Sequence, residues 1–459
     1  MTEWTREQLT AIEEKDCDLL VAAAAGAGKT AVLVERIIKK VIRDRDPIDI
    51  DNMLVVTFTN AAASEMRERI ALTLDKAIEE NPGSQRLHRQ LLLLPKAGIT
   101  TIHSFCMDVL KNNYHRLDIA PDFRVADETE SALLKIEGID ELFDMQYEEG
   151  SGLFFKLLDS YSGNRDDNKL KDMVLEIYDF VRSTPWPEKW LNEMAKAYEI
   201  GEDFDFIKTE WAKTILDYVN IELSGCLNEL NKAYEISQIG FGLEKCAIQL
   251  FSDLENVKSL IYFEGRSWDS LYEAFRSIKF ETQRQVTKDG DKDAYEILKE
   301  LRKSAKEKIY KMRDEFFIED SKGIVSDLNA LHPLIKYLCH LIMEFEKLYS
   351  GMKKEKSLID FNDLEHFSLK VLTEENERGV ITPSPTALSL RDKYSEIMID
   401  EYQDSNMVQE VILNIISKRE IDLPNMFMVG DVKQSIYRFR QAKPELFLDK
   451  YDRYSENSG

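Results

Sequence analysis

The sequence predicts an α/β fold in which a parallel sheet bearing a phosphate-binding loop is interrupted by a large, mostly α-helical insertion. Three observations predict it. A short apolar run at 19–22 leads through small residues into Lys29-Thr30 and an amphipathic helix. Further apolar runs near 53–57, 98–102, 396–399 and 426–430 end in polar residues, as strands do whose carboxyl ends face a ligand. Between 121 and 351 apolar residues recur at three- and four-residue spacing, Gly and Pro are sparse, and strand-like alternation is nearly absent.

The first element justifies itself most fully. Leu19 to Ala22 reads as a buried strand, Ala23 to Gly28 as a turn of small residues, and Lys29-Thr30 as the opening of a helix with Val32, Leu33, Ile37 and Val41 on one face. Strand, small-residue loop, Lys-Thr and helix, in that order, make a P-loop. Gly26 and Gly28 permit a backbone geometry that brings N–H groups against phosphate oxygens, and the helix start adds favourable partial charge. Ala23, Ala24, Ala25 and Ala27 complete the loop. Lys29 is then the residue to reach the terminal phosphates of a nucleoside triphosphate, and Thr30 the one to offer a hydroxyl to Mg2+. Ala23 stands where the G-x-x-x-x-G-K-[ST] pattern opens on Gly. A glycine turn before a basic helix is the bland alternative; the flanking strand and helix favour a nucleoside-triphosphate site.

Composition narrows the class. The chain has 459 residues, 43% hydrophobic and 32% charged, which suits roughly two to four soluble domains. A net charge of −24 excludes a wholly basic nucleic-acid coat, so a nucleic-acid site must be a local patch or a stacking groove. Cys17, Cys106, Cys226, Cys246 and Cys339 are scattered and form no C-x-x-C pair, which excludes an evident zinc or iron–sulfur framework and favours a reducing compartment. The N-terminus is charged at once and no apolar run reaches membrane-spanning length, so a cytoplasmic protein without a membrane partner is expected.

In chain order, Thr5-Arg6-Glu7-Gln8 opens a helix, and the Gln8 amide suits an adenine edge because it can both donate and accept. The second strand ends in Thr57-Phe58-Thr59-Asn60 ahead of a helix from Ala61 to Leu74. Phe58 there is either a core residue or a platform for a stacked base. The third strand, 98–102, delivers His103 and Ser104. In the helical block, Leu298, Leu301, Ala305, Ile309, Met312 and Phe316 form an inward stripe. Lys299, Arg302, Lys303, Lys306, Lys308, Lys311 and Arg313 crowd the outside, as a solvated charged face or a surface for a DNA backbone. A capped helix opens at Asp360. The run 396–399 then ends in Asp400-Glu401, the acidic pair an NTPase needs opposite its P-loop: Asp400 to hold Mg2+ and Glu401 to polarise the attacking water. The last strand ends in Gly430-Asp431 and runs into Gln434, Tyr437, Arg438, Phe439 and Arg440, a set suited to both a γ-phosphate and stacked bases.

These motifs arrive in a recognisable order. Gln8, the loop at 23–30, Val56-Thr-Phe-Thr-Asn-Ala-Ala-Ala-Ser-Glu-Met66, Thr101-Ile-His-Ser-Phe105, Ile399-Asp-Glu-Tyr-Gln-Asp404 and Val429-Gly-Asp-Val-Lys-Gln-Ser-Ile-Tyr-Arg-Phe-Arg440 resemble the N-terminal motifs of superfamily 1 DNA helicases of the UvrD/Rep/PcrA type. Ala31, Ala61, Val432-Lys433 and Ala442 with Pro444-Glu445-Leu446-Phe447 are most similar to AddA-type helicase–nucleases; RecB-like chains are a more distant alternative. The resemblance implies a RecA-like domain 1A at 1–117 and 357–459, split by a helical subdomain 1B at 118–356. It implies that Gln8 reads adenine, Lys29 and Thr30 serve phosphates and Mg2+, Asp400 the metal, Glu401 the water and Gln434 the γ-phosphate, with Arg440 as a coupling residue. Phe58, Thr59, Asn60, His103, Ser104, Tyr437 and Phe439 would line a single-stranded DNA track. The implied partners are DNA, as a single strand with a duplex end or junction, and an AddB-like protein; the implied activity is an ATP-dependent helicase and exonuclease of double-strand-break repair. Such proteins also carry a second RecA-like domain with an arginine finger and a nuclease domain. The sequence, ending at Gly459, is therefore expected to be a fragment holding the first half of the motor, with little or no turnover of its own.

Overall fold

The computed structural model describes residues 4–24, 26–43, 46–162, 166–201, 204–263, 265–421, 423–435 and 441–454. Two compact units emerge: Met1–Asn192 with Leu338–Gly459, and Glu193–Tyr337.

In the first unit, β1 (Leu19–Ala22), β2 (Met53–Thr57), β3 (Gly98–Thr101), β4 (Glu396–Ile399) and β5 (Met426–Gly430) form a parallel sheet in the order β1-β5-β4-β2-β3. Every residue of β2, β4 and β5 is buried, which is why these strands read as unbroken apolar runs rather than alternating ones. Successive side chains still part to opposite faces. Val55, Met398, Phe427 and Val429 pack with Leu33, Ile37, Met66 and Ile70 from helices Lys29–Ile38 and Asn60–Glu80. Leu54, Ile397, Ile399 and Met428 pack with Phe105, Leu369 and Ile412 from helices Ile102–Asn113, Phe361–Leu372 and Met407–Ile416. The expected α/β architecture with a parallel sheet is the one observed.

Two boundaries differ from the sequence expectation for a local reason. The strand expected to reach 102 stops at Thr101, whose hydroxyl accepts the Ser104 N–H at 3.3 Å and caps the next helix, so His103 and Ser104 lie in its first turn. Likewise Thr59 accepts the Ala62 N–H at 3.1 Å, and the helix expected from Ala61 begins at Asn60 and runs on to Glu80.

The helical region 118–356 is divided between the two units. Helices Glu128–Glu149, Gly152–Tyr161 and Asn168–Val181 fall in the first unit. There, Arg124–Val125 pairs in parallel with Leu358–Ile359, where the chain leaves and re-enters the sheet region. The second unit is built from helices Glu210–Ile239, Glu244–Lys258, Trp268–Ser277 and Lys292–Phe316 around Leu216, Leu223, Leu250, Leu298 and Ile309. Arg302, expected on the outside, is buried: its Nε lies 2.6 Å from Asp253 Oδ2, because position 302 follows Leu298 by four residues and falls on the inward stripe. Lys299, Lys308 and Arg313 pair with Glu296, Glu229 and Asp314 at 2.8, 2.6 and 2.8 Å. No described helix is long and apolar enough to cross a membrane.

Candidate nucleotide and nucleic-acid site

The loop after β1 is shaped by two left-handed glycines, Gly26 at φ +77° and Gly28 at φ +80°. Gly28 also caps the helix Lys29–Ile38 without any side-chain partner, so no side chain occupies the first-turn N–H groups, the kind of helix start that suits an anion. Gln8 is pinned against this loop. Its Oε1 accepts the Thr5 N–H at 2.9 Å in a capping box, and its Nε2 donates to the Ala27 carbonyl at 3.0 Å, contacts that use half of an amide's capacity. Behind the loop, buried Arg36 donates from Nε to Glu396 Oε1 and from its guanidinium to the Ala11 carbonyl, both at 2.7 Å, and lies 4.5 Å over the Phe427 ring. That one side chain ties the Gln8 helix, the P-loop helix, β4 and β5 together, and it carries no motif signature.

Lys29 Nζ lies 2.8 Å from Glu401 Oε2 and 3.3 Å from Gln434 Oε1. Three residues separated by 372 and 405 positions thus meet at the carboxyl edge of the sheet, because β1, β5 and β4 are neighbours there. Thr30 is half-buried in the turn beside them. Asp400, buried at the end of β4, is pushed up to about 6 by burial first and then by the Glu401 charge, against the opposing pull of Lys29. Glu401 sits at φ +52°, a left-handed conformation costly for a non-glycine residue, and its N–H donates to Asp400 Oδ1 at 3.2 Å.

Residues that sequence reasoning passed over complete the cluster. Gln403 is 1% exposed; its Nε2 donates to Glu401 Oε2 at 2.8 Å and to Asp404 Oδ2 at 3.1 Å, while its Oε1 accepts the Asp431 N–H at 2.9 Å. Asp431 in turn accepts from Gln434 Nε2 at 2.6 Å. The signal available in the sequence was only that Gln403 and Asp431 lie within two motifs already singled out.

On the other side of β4, Phe58, Thr59, Asn60, His103 and Ser104 together line a cavity of about 520 Å³. An adjoining cavity of about 480 Å³ runs from Phe58, His103 and Phe361 to Asp400, Glu401 and Asp404. Phe58 is half-buried at the strand exit rather than sunk in the core. His103 packs edge-on to Phe361 at 5.2 Å, and its Nε2 lies 3.1 Å from Glu365 Oε1. Glu365 is buried and also accepts from Asn406 at 3.0 Å and Gln409 at 2.7 Å. Burial pushes its carboxyl up, but His103, Asn406 and Gln409 together outweigh that and hold it below the usual range. Ala25, Tyr437, Phe439 and Arg440 lie outside the described residues.

Comparison with known proteins agrees with this geometry. Residues 4–455 match the family model described as the UvrD/REP helicase N-terminal domain. The chain is 51% identical over its full length to an ATP-dependent helicase/nuclease subunit of Acetivibrio thermocellus, covering 37% of that protein. Over 99% of its length it is 50% identical to the protein of the same name from Ruminiclostridium cellulolyticum, covering 37% of it. The corresponding figures for Clostridioides difficile are 48% over 99% of the chain and 36% of the relative. The chain therefore spans little more than a third of the length of these curated relatives.

Proposed function

Because the chain belongs to the UvrD/REP helicase N-terminal domain family, we propose that it binds ATP at the Lys29 loop and forms part of a motor that moves along single-stranded DNA. The observation that carries this is the meeting of Lys29 with Glu401 and Gln434, at 2.8 and 3.3 Å. In this reading Gln8 faces the adenine, the loop residues Ala23 to Gly28 and Lys29 hold the phosphates, and Gln434 responds to the γ-phosphate. Thr30 and Asp400 would hold Mg2+. A hydroxyl and a carboxylate are hard oxygen donors, and a carboxylate pushed up to about 6 by burial and a neighbouring charge is one a cation would relieve. Bound there, the ion supplies Lewis-acid polarisation of phosphoryl oxygens. Glu401 orients and polarises the water that attacks the γ-phosphate. Phe58, Thr59, Asn60, His103 and Ser104, with Tyr437 and Phe439, form the DNA track, and Arg440 couples it to the nucleotide.

For the longer protein the reading is an ATP-dependent helicase and exonuclease of double-strand-break repair, cytoplasmic, acting on DNA ends beside a second, AddB-like protein. The relatives' name, which makes each of them one subunit of an ATP-dependent helicase/nuclease, supports it. Steady-state ATP hydrolysis by 1–459, with and without single-stranded DNA, tests the motor reading against Lys29→Ala and Glu401→Gln. Turnover or Mg–ATP binding that depends on Lys29 supports it. Mg–ATP binding untouched by Lys29→Ala would overturn it.

A further inference from the structure

Five residues close a hydrogen-bonded ring at the sheet edge. Lys29 donates to Glu401 and to Gln434, Gln434 to Asp431, the Asp431 N–H to Gln403, and Gln403 back to Glu401. Gln403 is the one buried member, at 1% exposure, and its amide is taken up by Glu401, Asp404 and the Asp431 N–H. Its place is prepared by Gly430, where a Cβ would come within 2.4 Å of Gln403 Oε1 and 3.0 Å of Phe447. The neighbour it holds needs holding. Glu401 stands on a left-handed backbone with a side chain about one-third exposed, and Lys29, its other partner, is the cation a γ-phosphate would draw away.

We propose that Gln403 is a positioning residue for hydrolysis: it aims the Glu401 carboxylate at the attacking water and ties that aim, through Asp431, to Gln434. This rests on the nucleotide-hydrolysis reading above. The physical requirement is geometric. A group that polarises water acts only within hydrogen-bond reach, and a displacement of about 1 Å can cost on the order of 100-fold in rate. When the γ-phosphate occupies Lys29 and Gln434, the Gln403 amide is the contact that keeps Glu401 in place. Gln434, shifting toward the phosphate, pulls on Asp431 and hence on the same amide. Gln403 touches neither substrate nor metal, so its loss acts on kcat and leaves nucleotide affinity alone.

Two variants test this in the 459-residue chain with single-stranded DNA present. Q403M removes all three side-chain hydrogen bonds without adding charge; Q403E keeps the acceptor for Asp431 and loses the donor to Glu401 and Asp404. Both are expected to lower kcat by about 10-fold or more with KM for ATP changed less than about 3-fold. A protonated carboxyl can donate as the amide does. The Q403E deficit relative to wild type should therefore shrink as pH falls from about 8.5 to about 6, while that of Q403M stays constant. If Q403M does not fold, judged by its thermal melt, the pH ratio of Q403E decides alone. Wild-type kcat in either variant, or a Q403E deficit that does not change with pH, overturns the proposal. Lys29→Ala separates the two readings. Turnover lost in Lys29→Ala but kept in Q403M sinks only the positioning role, as does a wild type that binds Mg–ATP through Lys29 without turnover; neither turnover nor Mg–ATP binding that depends on Lys29 sinks both.

Discussion

Asp400 sets the nucleotide site against the stability of the fold, and the substitution Asp400→Asn measures by how much. Its carboxyl is lifted from an ordinary 3.8 to about 6, chiefly by burial and next by the Glu401 charge. A folded-state value above the unfolded one means that the native protein prefers the protonated group. Its stabilising contribution is complete below 3.8 and is lost as pH rises through about 6. Near pH 8 the ionised carboxylate therefore costs about 3 kcal/mol relative to a neutral one, at 1.36 kcal/mol per unit. Asparagine is the neutral isostere and keeps an oxygen for the Glu401 N–H, which Asp400 accepts at 3.2 Å. Asp400→Asn should stabilise the chain by roughly 1–3 kcal/mol near pH 8, with the gain shrinking towards zero near pH 4. It should also abolish any stabilisation of the wild type by Mg–ATP. Urea denaturation across that pH range, compared at shared m-values, reads the first effect, and melting with and without Mg–ATP the second. A variant less stable than wild type near pH 8, or a difference that ignores pH, would refute the reasoning.

Glu401→Gln should separate binding from chemistry: turnover falls by about 100-fold or more. Mg–nucleotide binds up to about 5-fold tighter in that variant, because Lys29 no longer shares its charge with a partly exposed carboxylate 2.8 Å away. Fluorescence titration alongside steady-state kinetics checks both, and weaker binding would contradict the pairing. Gly28→Ala forces a Cβ onto a φ of +80° and against Gln8 Nε2 at 3.4 Å. A cost of about 1–2 kcal/mol and a loss of nucleotide affinity on the order of 10-fold are expected, read by thermal melting and the same titration. Glu365→Gln places an amide where three donors converge. It should destabilise the chain by roughly 1–3 kcal/mol near neutrality. Because the Glu365 value is held below its ordinary 4.5, the wild-type advantage is present above that value and fades as pH falls beneath it. Denaturation midpoints of the two proteins at neutral and acid pH settle the sign.

What was legible in the sequence was whatever is encoded locally. Strands buried on both faces announce themselves as apolar runs, and β2, β4 and β5 did. A P-loop is contiguous, so its glycines and Lys29 stand together in the chain as they do in space. Strand ends slipped by a residue at Thr101 because a threonine serves equally as a last strand residue and a helix cap. Partnerships across the fold were not legible. His103 and Glu365 are 262 positions apart in sequence by their numbering, and nothing local marks Glu365 as other than a helical acid facing solvent. Gln403 is a similar case: its meaning comes from Gly430, brought alongside only by the adjacency of β4 and β5. Arg302 is legible after all: helical spacing from Leu298 places it inward, although its charge alone points to the surface.

The strand order explains why one short segment stands at the centre of every proposed role. In the sequence β1-β5-β4-β2-β3, the Lys29 and Gln434 loops follow the strands on one side of β4, and Phe58 and His103 follow the strands on the other. Only β4 borders both sets. Its exit carries Asp400 and Glu401 toward Lys29, at 2.8 Å from Glu401. Immediately beyond, Asn406 and Gln409 at the start of the next helix hold Glu365, which holds His103. A shift of the 400–409 segment by a fraction of an ångström must therefore be felt at both ends, through Gln403 at Glu401 and through Glu365 at His103. Buried polar networks of this kind resist partial rearrangement, because each lost bond leaves a desolvated group without a partner. The segment is thus held as one connected piece, which is what the proposed function asks of the stretch between Lys29 and His103.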